Sequence, residues 1–302
     1  MGNILTKQLN DNIWRIRPTD IVTITTKRHG TSGIFANIPV KMPIKLPLVN
    51  RFWNFLYKKT KKYETINSLI VGRTVPDYKI EYGNVYSSRG VIKNQYINKN
   101  VTPGFYGTDL WGEVNQLMKD FIPEGMTVYG EICGFLTNSD KMIQKGYDYG
   151  CKKGEWYFMP YRITTIEADK SVREWNVIDV FNWTLNLIKE HPELTNKVRP
   201  ITILYRGTLS DLYPELSIQE HWHENVLQSL RKDKRRFFME DYDPDCKNRV
   251  PFEGVVLRVE NDPTVEAFKL KTDLFRKKER SDIDKGEVDM EMSNTYENND
   301  EG

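Results

Sequence analysis

A lysine beside a glycine turn is the first residue of this chain that could do covalent chemistry. Lys27 follows the strand-like run Ile21–Thr25 and precedes His29 and Gly30. A strand end followed by glycine can expose a lysine side chain, fix its position and let a phosphate approach the backbone. A lysine nucleophile needs all three. An ordinary surface lysine before a turn fits Thr26–Gly30 equally well and is the commoner explanation of such a pentapeptide.

A series of short motifs follows Lys27 along the chain and favours a functional role for this lysine. In chain order they are Ser88-Arg89-Gly90, Tyr129–Gly134, Trp156–Tyr161, Phe252–Arg258 and Phe268–Lys271. This series resembles the collinear motifs of the covalent nucleotidyltransferases, which include ATP-dependent DNA ligases, RNA ligases and mRNA capping enzymes. The forms KRHGTS, YGEICG, EGVVLR and KLK are most similar to nick-sealing RNA ligases. The resemblance extends over about residues 8–290.

The resemblance implies a covalent role for Lys27 and a supporting role for two further lysines. Lys27 would attack the α-phosphorus of ATP and hold AMP as a phosphoramidate. Presenting a neutral lysine at pH 7 costs roughly 4–5 kcal/mol. Lys269 and Lys271 alternate on a predicted strand, and a nearby ammonium group would reduce that cost. In the family these lysines contact the α-phosphate and help pyrophosphate to leave.

The resemblance also implies contacts to the nucleotide and to a metal ion. Arg89 would reach the ribose or a phosphate, and Glu131 would accept hydrogen bonds from the ribose hydroxyls. Tyr161 is the predicted stacking partner of adenine, with Phe158 as the alternative. Glu253 would work with Mg²⁺ or Mn²⁺. Because magnesium keeps several waters and takes few carboxylates beside phosphate, we expect no dense acidic cluster.

Some positions depart from the family pattern or distinguish its branches. Thr26 stands where related ligases often have glutamate, and Arg162 follows the predicted stacking residue where an acid is common. His29 replaces the aspartate of the DNA-ligase lysine motif, which favours the RNA branch. Thr26 and His29 flank the nucleophile and are predicted to lie near the nucleotide. Arg258 has no firm family role and could be a cross-strand partner.

Composition is typical of a globular enzyme. The 302 residues are 39% hydrophobic and 12% aromatic. No run approaches the roughly 18 apolar residues of a membrane span, and the N-terminus lacks an apolar signal core, so we expect a cytoplasmic protein with no membrane partner. Three cysteines without CxxC spacing argue against a disulfide framework or structural zinc.

The charge is unevenly distributed. Residues 281–302 carry eight acids and one lysine, so residues 1–280 carry a net +9 against the chain's +2. A basic body is expected of a nucleic-acid binder. Residues 41–63 mix lysines with aromatic residues, a combination that can hold phosphates and stack bases. The lysines predicted to contact nucleic acid there are Lys58, Lys59, Lys61 and Lys62. Alternatively, the aromatic residues pack on the core and the lysines solvate a loop.

Periodicity predicts an α+β fold with mainly antiparallel sheets and flanking helices, as in the nucleotidyltransferase domain. The predicted strands are Ile21–Thr25, Ile34–Val40, Thr127–Gly130, Trp156–Ile166, Pro200–Tyr205, Gly254–Glu260 and Glu266–Leu270. The predicted helices are Asp109–Phe121 after an N-cap at Thr108, Asn176–His191, and a third that opens with a capping box at Ser217–Glu220. We expect one nucleotidyltransferase domain over residues 1–280 and an acidic tail over 281–302, disordered after about residue 290.

Together these features predict an ATP-dependent RNA ligase that joins a 3′-hydroxyl to a 5′-phosphate through lysyl-AMP and an adenylylated 5′ end. The expected partner is RNA carrying those ends, with a nicked duplex as the favoured form and no obligate protein partner. A DNA ligase or a capping guanylyltransferase is the enzymatic alternative. Both usually carry an OB domain after the KLK strand, whereas 31 residues follow Lys271. A non-catalytic RNA-binding protein of the same fold is the remaining alternative.

Overall fold

Two five-stranded sheets form the framework of the computed structural model, which describes residues 6–60, 62–63, 71–94, 96, 106–216, 219–237, 239, 241–260 and 266–285. In spatial order, the first sheet contains β1 (Lys7–Gln8), β10 (Ala267–Lys271), β9 (Gly254–Val259), β2 (Ile21–Lys27) and β8 (Ile203–Thr208). The second contains β4 (Tyr78–Ser87), β3 (Thr31–Pro43), β5 (Met126–Gly134), β6 (Trp156–Ile166) and β7 (Val172–Glu174). Apart from the parallel β1–β10 pair, these strands pair antiparallel, so the predicted α+β fold is confirmed.

Alternation along β2 and β9 divides the first sheet into a core face and a cleft face. Val22 and Ile24 are fully buried in one core cluster with Leu257 of β9. Successive strand residues point to opposite faces, so Thr25 and Lys27 face the other way. This second face of the sheet lines a cleft between the two sheets.

The helices of the described ranges are α1 (Leu48–Thr60), α2 (Leu110–Met118), α3 (Val177–Glu190), α4 (Leu209–Leu212), α5 (Trp222–Lys232), α6 (Lys234–Phe237) and α7 (Asp273–Asp284). Helices α2 and α3 lie where the sequence predicts them. The side chain of Asp109, and not that of Thr108, caps α2 by accepting from Gly112 N at 2.9 Å. Within those ranges no helix combines the length and the apolarity needed to cross a bilayer.

The predicted start of the third helix is wrong, because Gln219 and Glu220 are not helical; Ser217 and Ile218 lie outside the described residues. Helix α5 begins at Trp222, after His221 in the left-handed region with φ 60°. A left-handed residue cannot continue a right-handed helix, so the turn at His221 sets the boundary. Val226 and Leu230 of this helix are buried in the core of the first sheet.

Helix α1 joins the ends of a long β3–β4 hairpin. Strand β3 pairs with β5 only over residues 31–36 but with β4 over residues 34–43, so the outer half of the hairpin extends past the sheet. No residue of α1 is buried, and Phe52 and Phe55 are 55% and 53% exposed. The alternative in which these aromatic residues pack on the core is therefore wrong. We call residues 41–82 the basic arm.

Helix α7 follows β10 directly and was not among the predicted helices. It runs to Asp284, so the predicted domain boundary at residue 280 falls inside it. The N-cap is Thr272, whose hydroxyl accepts from Phe275 N at 3.1 Å and donates to Phe252 O at 2.6 Å. The remainder of the acidic segment, residues 286–302, lies outside the described residues.

Candidate active site

The cleft between the sheets is lined by six of the nine residues predicted to act in catalysis or nucleotide binding. Strands β2, β9 and β10 supply one wall, and β3, β5, β6 and β7 supply the other. The sequence-predicted residues that line it are Thr26, Lys27, Arg89, Glu131, Tyr161 and Lys269. They come from five separate parts of the chain, and folding brings them into one cavity.

Lys27 and Glu253 form the ion pair at one end of the cleft. Lys27 Nζ lies 2.7 Å from Glu253 Oε1, and the two side chains are 16% and 2% exposed. Lys27 ends β2 and Glu253 immediately precedes β9, so the pair is fixed by the pairing of these strands. A buried carboxylate held against a partly accessible lysine is a site at which phosphate charge and proton transfer can be controlled.

Gly254 makes this pairing possible. It stands between Lys27 on β2 and Lys271 on β10 in the sheet register. A Cβ at this position would lie 2.1 Å from Leu270 O, and φ is +146°. Only glycine permits this approach, so the two lysines flank a residue without a side chain. Lys271 Nζ lies 3.7 Å from Glu253 Oε1 and 2.7 Å from Glu279 Oε1 of α7.

The turn after Lys27 is tied to β5. Gly30 N donates to Glu131 Oε1 at 3.1 Å, and Gln144 Nε2 donates to Gly30 O at 2.9 Å. A Cβ on Gly30 would lie 2.4 Å from Ile132 O, so glycine is required where the turn crosses the strand. This close approach places the Glu131 carboxylate in the same cleft as Lys27.

Arg28 is a buried anchor that the sequence did not reveal. Its guanidinium lies 3.3 Å from Asp243, contacts Asp245 and stacks 5.0 Å from the ring centre of Tyr149. Burial alone would lower the pKa of Arg28, but Tyr157, Asp243 and Tyr149 outweigh it, so the pKa is raised and the cation persists. The two aspartates are 215 and 217 residues away in sequence, and no local pattern joins them to Arg28.

His29 lies beside Glu253, away from the cleft-lining set. Its Nδ1 is 3.8 Å from Glu253 Oε2, and its ring packs edge-on against Tyr147 and Phe275 at 4.8 and 5.0 Å. His29 N donates to Tyr149 OH at 2.7 Å. The structure therefore places this residue beside the Lys27–Glu253 pair and not among the residues that line the cleft.

Tyr161 reaches the cleft through a strand irregularity. The β5–β6 register shifts between Tyr129 and Gly130, which leaves Tyr161 as the extra residue of β6. Such a bulge re-aims a side chain. The Tyr161 hydroxyl lies 3.4 Å from Ser32 Oγ. Val256 of β9 lines the same cleft from the other sheet, so a flat ligand could lie between an aromatic and an aliphatic wall.

Phe158, the alternative stacking residue, is excluded from that role by its position. Its ring is fully buried and packs edge-on against Phe35 at 5.0 Å. It also occupies the space that a side chain at residue 130 would need, since a Cβ on Gly130 would lie 2.2 Å from Phe158 Cε2. Phe158 is therefore a core residue.

Thr26 and Arg89 line the cleft in different ways. Strand alternation directs the Thr26 side chain toward the core face, opposite to Lys27. Its Oγ1 is buried and has no hydrogen-bond partner among the described residues. Arg89 follows β4 in a turn closed by Ser88 N to Val91 O at 3.0 Å, and its half-buried side chain lines the cleft.

The far end of the cleft contains a network between the two sheets. Arg162 makes a bidentate pair with Glu174, at 2.7 and 2.8 Å, and its guanidinium lies 4.1 Å from the ring centre of Tyr129. Strand β7 thus supplies a carboxylate to Arg162, the residue that follows the predicted stacking residue Tyr161. Arg258 donates to Trp175 O, and it lies 3.5 Å from Glu174 of the opposite sheet and 3.8 Å from Glu260 just after its own strand. Burial lowers the pKa of Arg258.

The predicted nucleic-acid lysines lie on the basic arm and not among the cleft-lining residues. Lys58 and Lys59 occupy the last turn of α1, where Lys58 Nζ is 4.0 Å from Asp77 and Lys59 Nζ is 4.9 Å from the Phe55 ring centre. Lys62 is exposed. Lys61 lies outside the described residues.

Single carboxylates, not a cluster, are available to a metal ion. Among the described residues no group of three or more His, Cys, Asp and Glu side chains is arranged to hold one. Glu253 lies at the nucleophile end of the cleft, and magnesium takes one or two carboxylates together with phosphate oxygens and water. The donor set therefore fits a metal that arrives with a nucleotide.

The two mainly antiparallel sheets and the cleft between them give this chain the fold of solved RNA ligase structures. A variant of the Naegleria gruberi RNA ligase with AMP and Mn superposes with a TM-score of 0.50 at 14% identity, over 92% of this chain and 58% of that one. Another variant, with ATP and Mn, gives 0.50 at 13% identity over the same shares.

The likeness extends to the fold and to part of the length of those proteins. An archaeal ATP-dependent RNA ligase aligns at 11% identity, with a TM-score of 0.42, over 92% of this chain and 50% of its own. This chain thus spans a little over half the length of the Naegleria ligase variants it matches. No family model and no curated protein matches the sequence.

Proposed function

We propose that this protein is an ATP-dependent RNA ligase that joins a 3′-hydroxyl to a 5′-phosphate. One observation carries the proposal. Lys27 Nζ lies at 2.7 Å from the buried Glu253 carboxylate, in a cleft that also holds Arg89, Glu131 and Lys269. A lysine and a carboxylate at one end of a nucleotide-sized cleft suit phosphoryl transfer, which depends mostly on positioning and charge stabilisation.

In the first step the Lys27 amine attacks the α-phosphorus of ATP. An N–P bond forms as the bond from the α-phosphorus to the bridging oxygen breaks, and pyrophosphate leaves with that electron pair. Lys27 loses a proton in the process, and the Glu253 carboxylate is a proton acceptor within reach. The Lys269 and Lys271 ammonium groups would offset the charge on the phosphates. Glu253 would hold a divalent cation, which would neutralise phosphate charge when bound.

The rest of the cleft would orient the nucleoside. Glu131 presents a carboxylate for the ribose hydroxyls, although in this structure it accepts from Gly30 N. Tyr161 and Val256 face the cleft from opposite sheets and would enclose the base. The Arg162–Glu174 pair lies at the far end and provides both donors and acceptors for a base edge.

In the second and third steps AMP passes from Lys27 to a 5′-phosphate, and a 3′-hydroxyl then displaces it. Both steps need nucleic acid over the cleft. The basic arm carries nine Lys and Arg residues against three Asp and Glu residues, and it presents exposed aromatic side chains. Positive charge with aromatic surface suits a phosphate backbone and unstacked bases.

Transfer of label from α-labelled ATP to the protein tests the proposal. The wild-type chain should become labelled in the presence of Mg²⁺ or Mn²⁺, and Lys27→Ala should not. Lys189→Ala, an exposed lysine on α3, serves as the matched control and should label normally. Lys189→Ala removes an exposed side chain and should fold normally. Lys27→Ala removes an ammonium partner of the buried Glu253 carboxylate, so thermal unfolding of this variant is measured beside the labelling. Labelling of Lys27→Ala at the wild-type level would end the assignment of the nucleophile.

A further inference from the structure

Lys271 lies between two carboxylates that come from different elements. Its Nζ is 2.7 Å from Glu279 of α7 and 3.7 Å from Glu253. The same Glu253 oxygen, Oε1, lies 2.7 Å from Lys27 Nζ. The four groups therefore alternate in sign along one line of contacts, from Lys27 through Glu253 and Lys271 to Glu279.

Helix α7 fixes the position of the Glu279 carboxylate beside Lys271. The helix starts immediately after β10, with Thr272 bonded to Phe252 O, the carbonyl of the residue before Glu253. Phe275, one turn later, is buried and packs edge-on against His29 and Tyr147. Glu279 follows one turn after Phe275, on the side of the helix that faces Lys271. Its carboxylate is thus placed by packing and not by a mobile loop.

Both lysines can compete for one oxygen of Glu253. Strongly buried charges attract each other more than exposed ones do, so an ammonium group at 3.7 Å will close on a carboxylate unless another partner holds it. Glu279 is the nearer carboxylate to Lys271. With a neutral side chain at residue 279, Lys271 would move onto Glu253 and compete with Lys27 and with any cation for it.

We propose that Glu279 is a positioning residue that holds the Lys271 ammonium group away from the Glu253 carboxylate. Glu253 thereby stays available to Lys27 and to a divalent cation. This inference rests on the proposed function, because it concerns the cation that Glu253 would hold there. Glu279 touches neither the cleft nor Lys27 in this structure, so its effect passes through Lys271.

A double-mutant cycle on cation binding tests the inference. Mn²⁺ is titrated into the full chain at a fixed concentration of AMP, which supplies the phosphate oxygens, and free Mn²⁺ is measured by electron paramagnetic resonance. Glu279→Gln, nearly isosteric, should raise the Mn²⁺ dissociation constant by about threefold or more in the wild-type background. In a Lys271→Met background the same change should have little effect, because no ammonium remains to move onto Glu253.

The matched control is Asp282→Asn. Asp282 lies on the same helix and pairs with Lys278 at 2.6 Å, so the variant removes the same charge without releasing Lys271. It should leave Mn²⁺ binding unchanged. Thermal unfolding of each variant checks that α7 remains folded.

Each remaining outcome counts for or against the idea. If Glu279→Gln weakens Mn²⁺ binding equally in both backgrounds, the effect is one of general charge and the positioning role is overturned. The same conclusion follows if Mn²⁺ binding is weakened in neither background. A wild-type chain that takes no label from ATP would instead end the proposed function, whatever the Mn²⁺ cycle gives. If the wild-type chain takes label normally but Glu279→Gln leaves the Mn²⁺ dissociation constant unchanged in both backgrounds, only the inference about Glu279 is overturned.

Discussion

Lys27 and Lys271 stand on either side of Gly254 in the β2–β9–β10 register, and both ammonium groups approach the same Glu253 oxygen, at 2.7 and 3.7 Å. The two lysines are 244 positions apart in sequence. Their convergence depends on a residue with no side chain, because any Cβ between them would collide with the β10 backbone. The site is thus built around a glycine as much as around its charged groups.

Substitution of Gly254 by alanine should therefore damage both the fold and the site. The new Cβ would lie 2.1 Å from Leu270 O in a backbone conformation that alanine rarely adopts. We expect a loss of at least about 2 kcal/mol in the free energy of unfolding. Gly72→Ala, where a Cβ would meet nothing within 4 Å, is the control for denaturant titration. Equal stability of the two variants would contradict the close approach of β9 and β10.

The labelling reaction should prefer ATP over GTP by at least about tenfold, since a pocket built for one set of base-edge donors and acceptors leaves groups unpaired with another. It should also require Mg²⁺ or Mn²⁺. Labelling rates with each nucleotide, measured with and without a chelator, check both expectations. Equal rates with GTP would favour the capping-enzyme alternative.

The basic arm should contribute to nucleic-acid binding and not to the reaction with ATP. Replacing Lys58, Lys59, Lys61 and Lys62 by alanine should weaken binding to a nicked duplex. It should also reduce the slope of the binding constant against salt concentration by an amount equivalent to up to about four phosphate contacts. Labelling by ATP should be unchanged, because none of the described lysines of this set lines the cleft. A salt slope equal to that of the wild type would show that the arm does not bind the nucleic acid.

The strand composition of the nick should distinguish RNA from DNA chemistry. An A-form duplex presents 2′-hydroxyls in a wide, shallow minor groove, and a surface that recognises them loses contacts on B-form DNA. Sealing should require ribonucleotides on the 3′-hydroxyl side and tolerate DNA on the 5′-phosphate side. Four nicks on one template, with RNA or DNA on each side at matched salt, measure this. Efficient sealing of the all-DNA nick would contradict the prediction of an RNA substrate but not the proposed lysine chemistry.

Seven of the ten strands in the described residues and two of the long helices could be predicted from the sequence because their signals are local, whereas β1, β4 and β7 were missed. Alternation in β2 and β9 and capping by Asn176 act within a few residues of the chain. The start of α5 could not be predicted, since the left-handed backbone at His221 leaves no local sign in the sequence. Helix α1 was missed as well, although Leu48–Thr60 is amphipathic, because its lysines and aromatic residues were interpreted as a nucleic-acid-binding segment.

For the site, the sequence by itself determined the residue types and their order: a lysine before a glycine turn, single glutamates beside glycines, and alternating lysines on a late strand. These features are local and need no partner to be seen. Only the tertiary structure decided which groups meet. It buried Phe158 while a bulge brought Tyr161 to the cleft, it turned His29 toward Glu253, and it paired Arg28 with Asp243 and Lys271 with Glu279. Such contacts depend on how the two sheets and α7 pack, and most of the pairs join residues too distant in sequence for a local pattern to record.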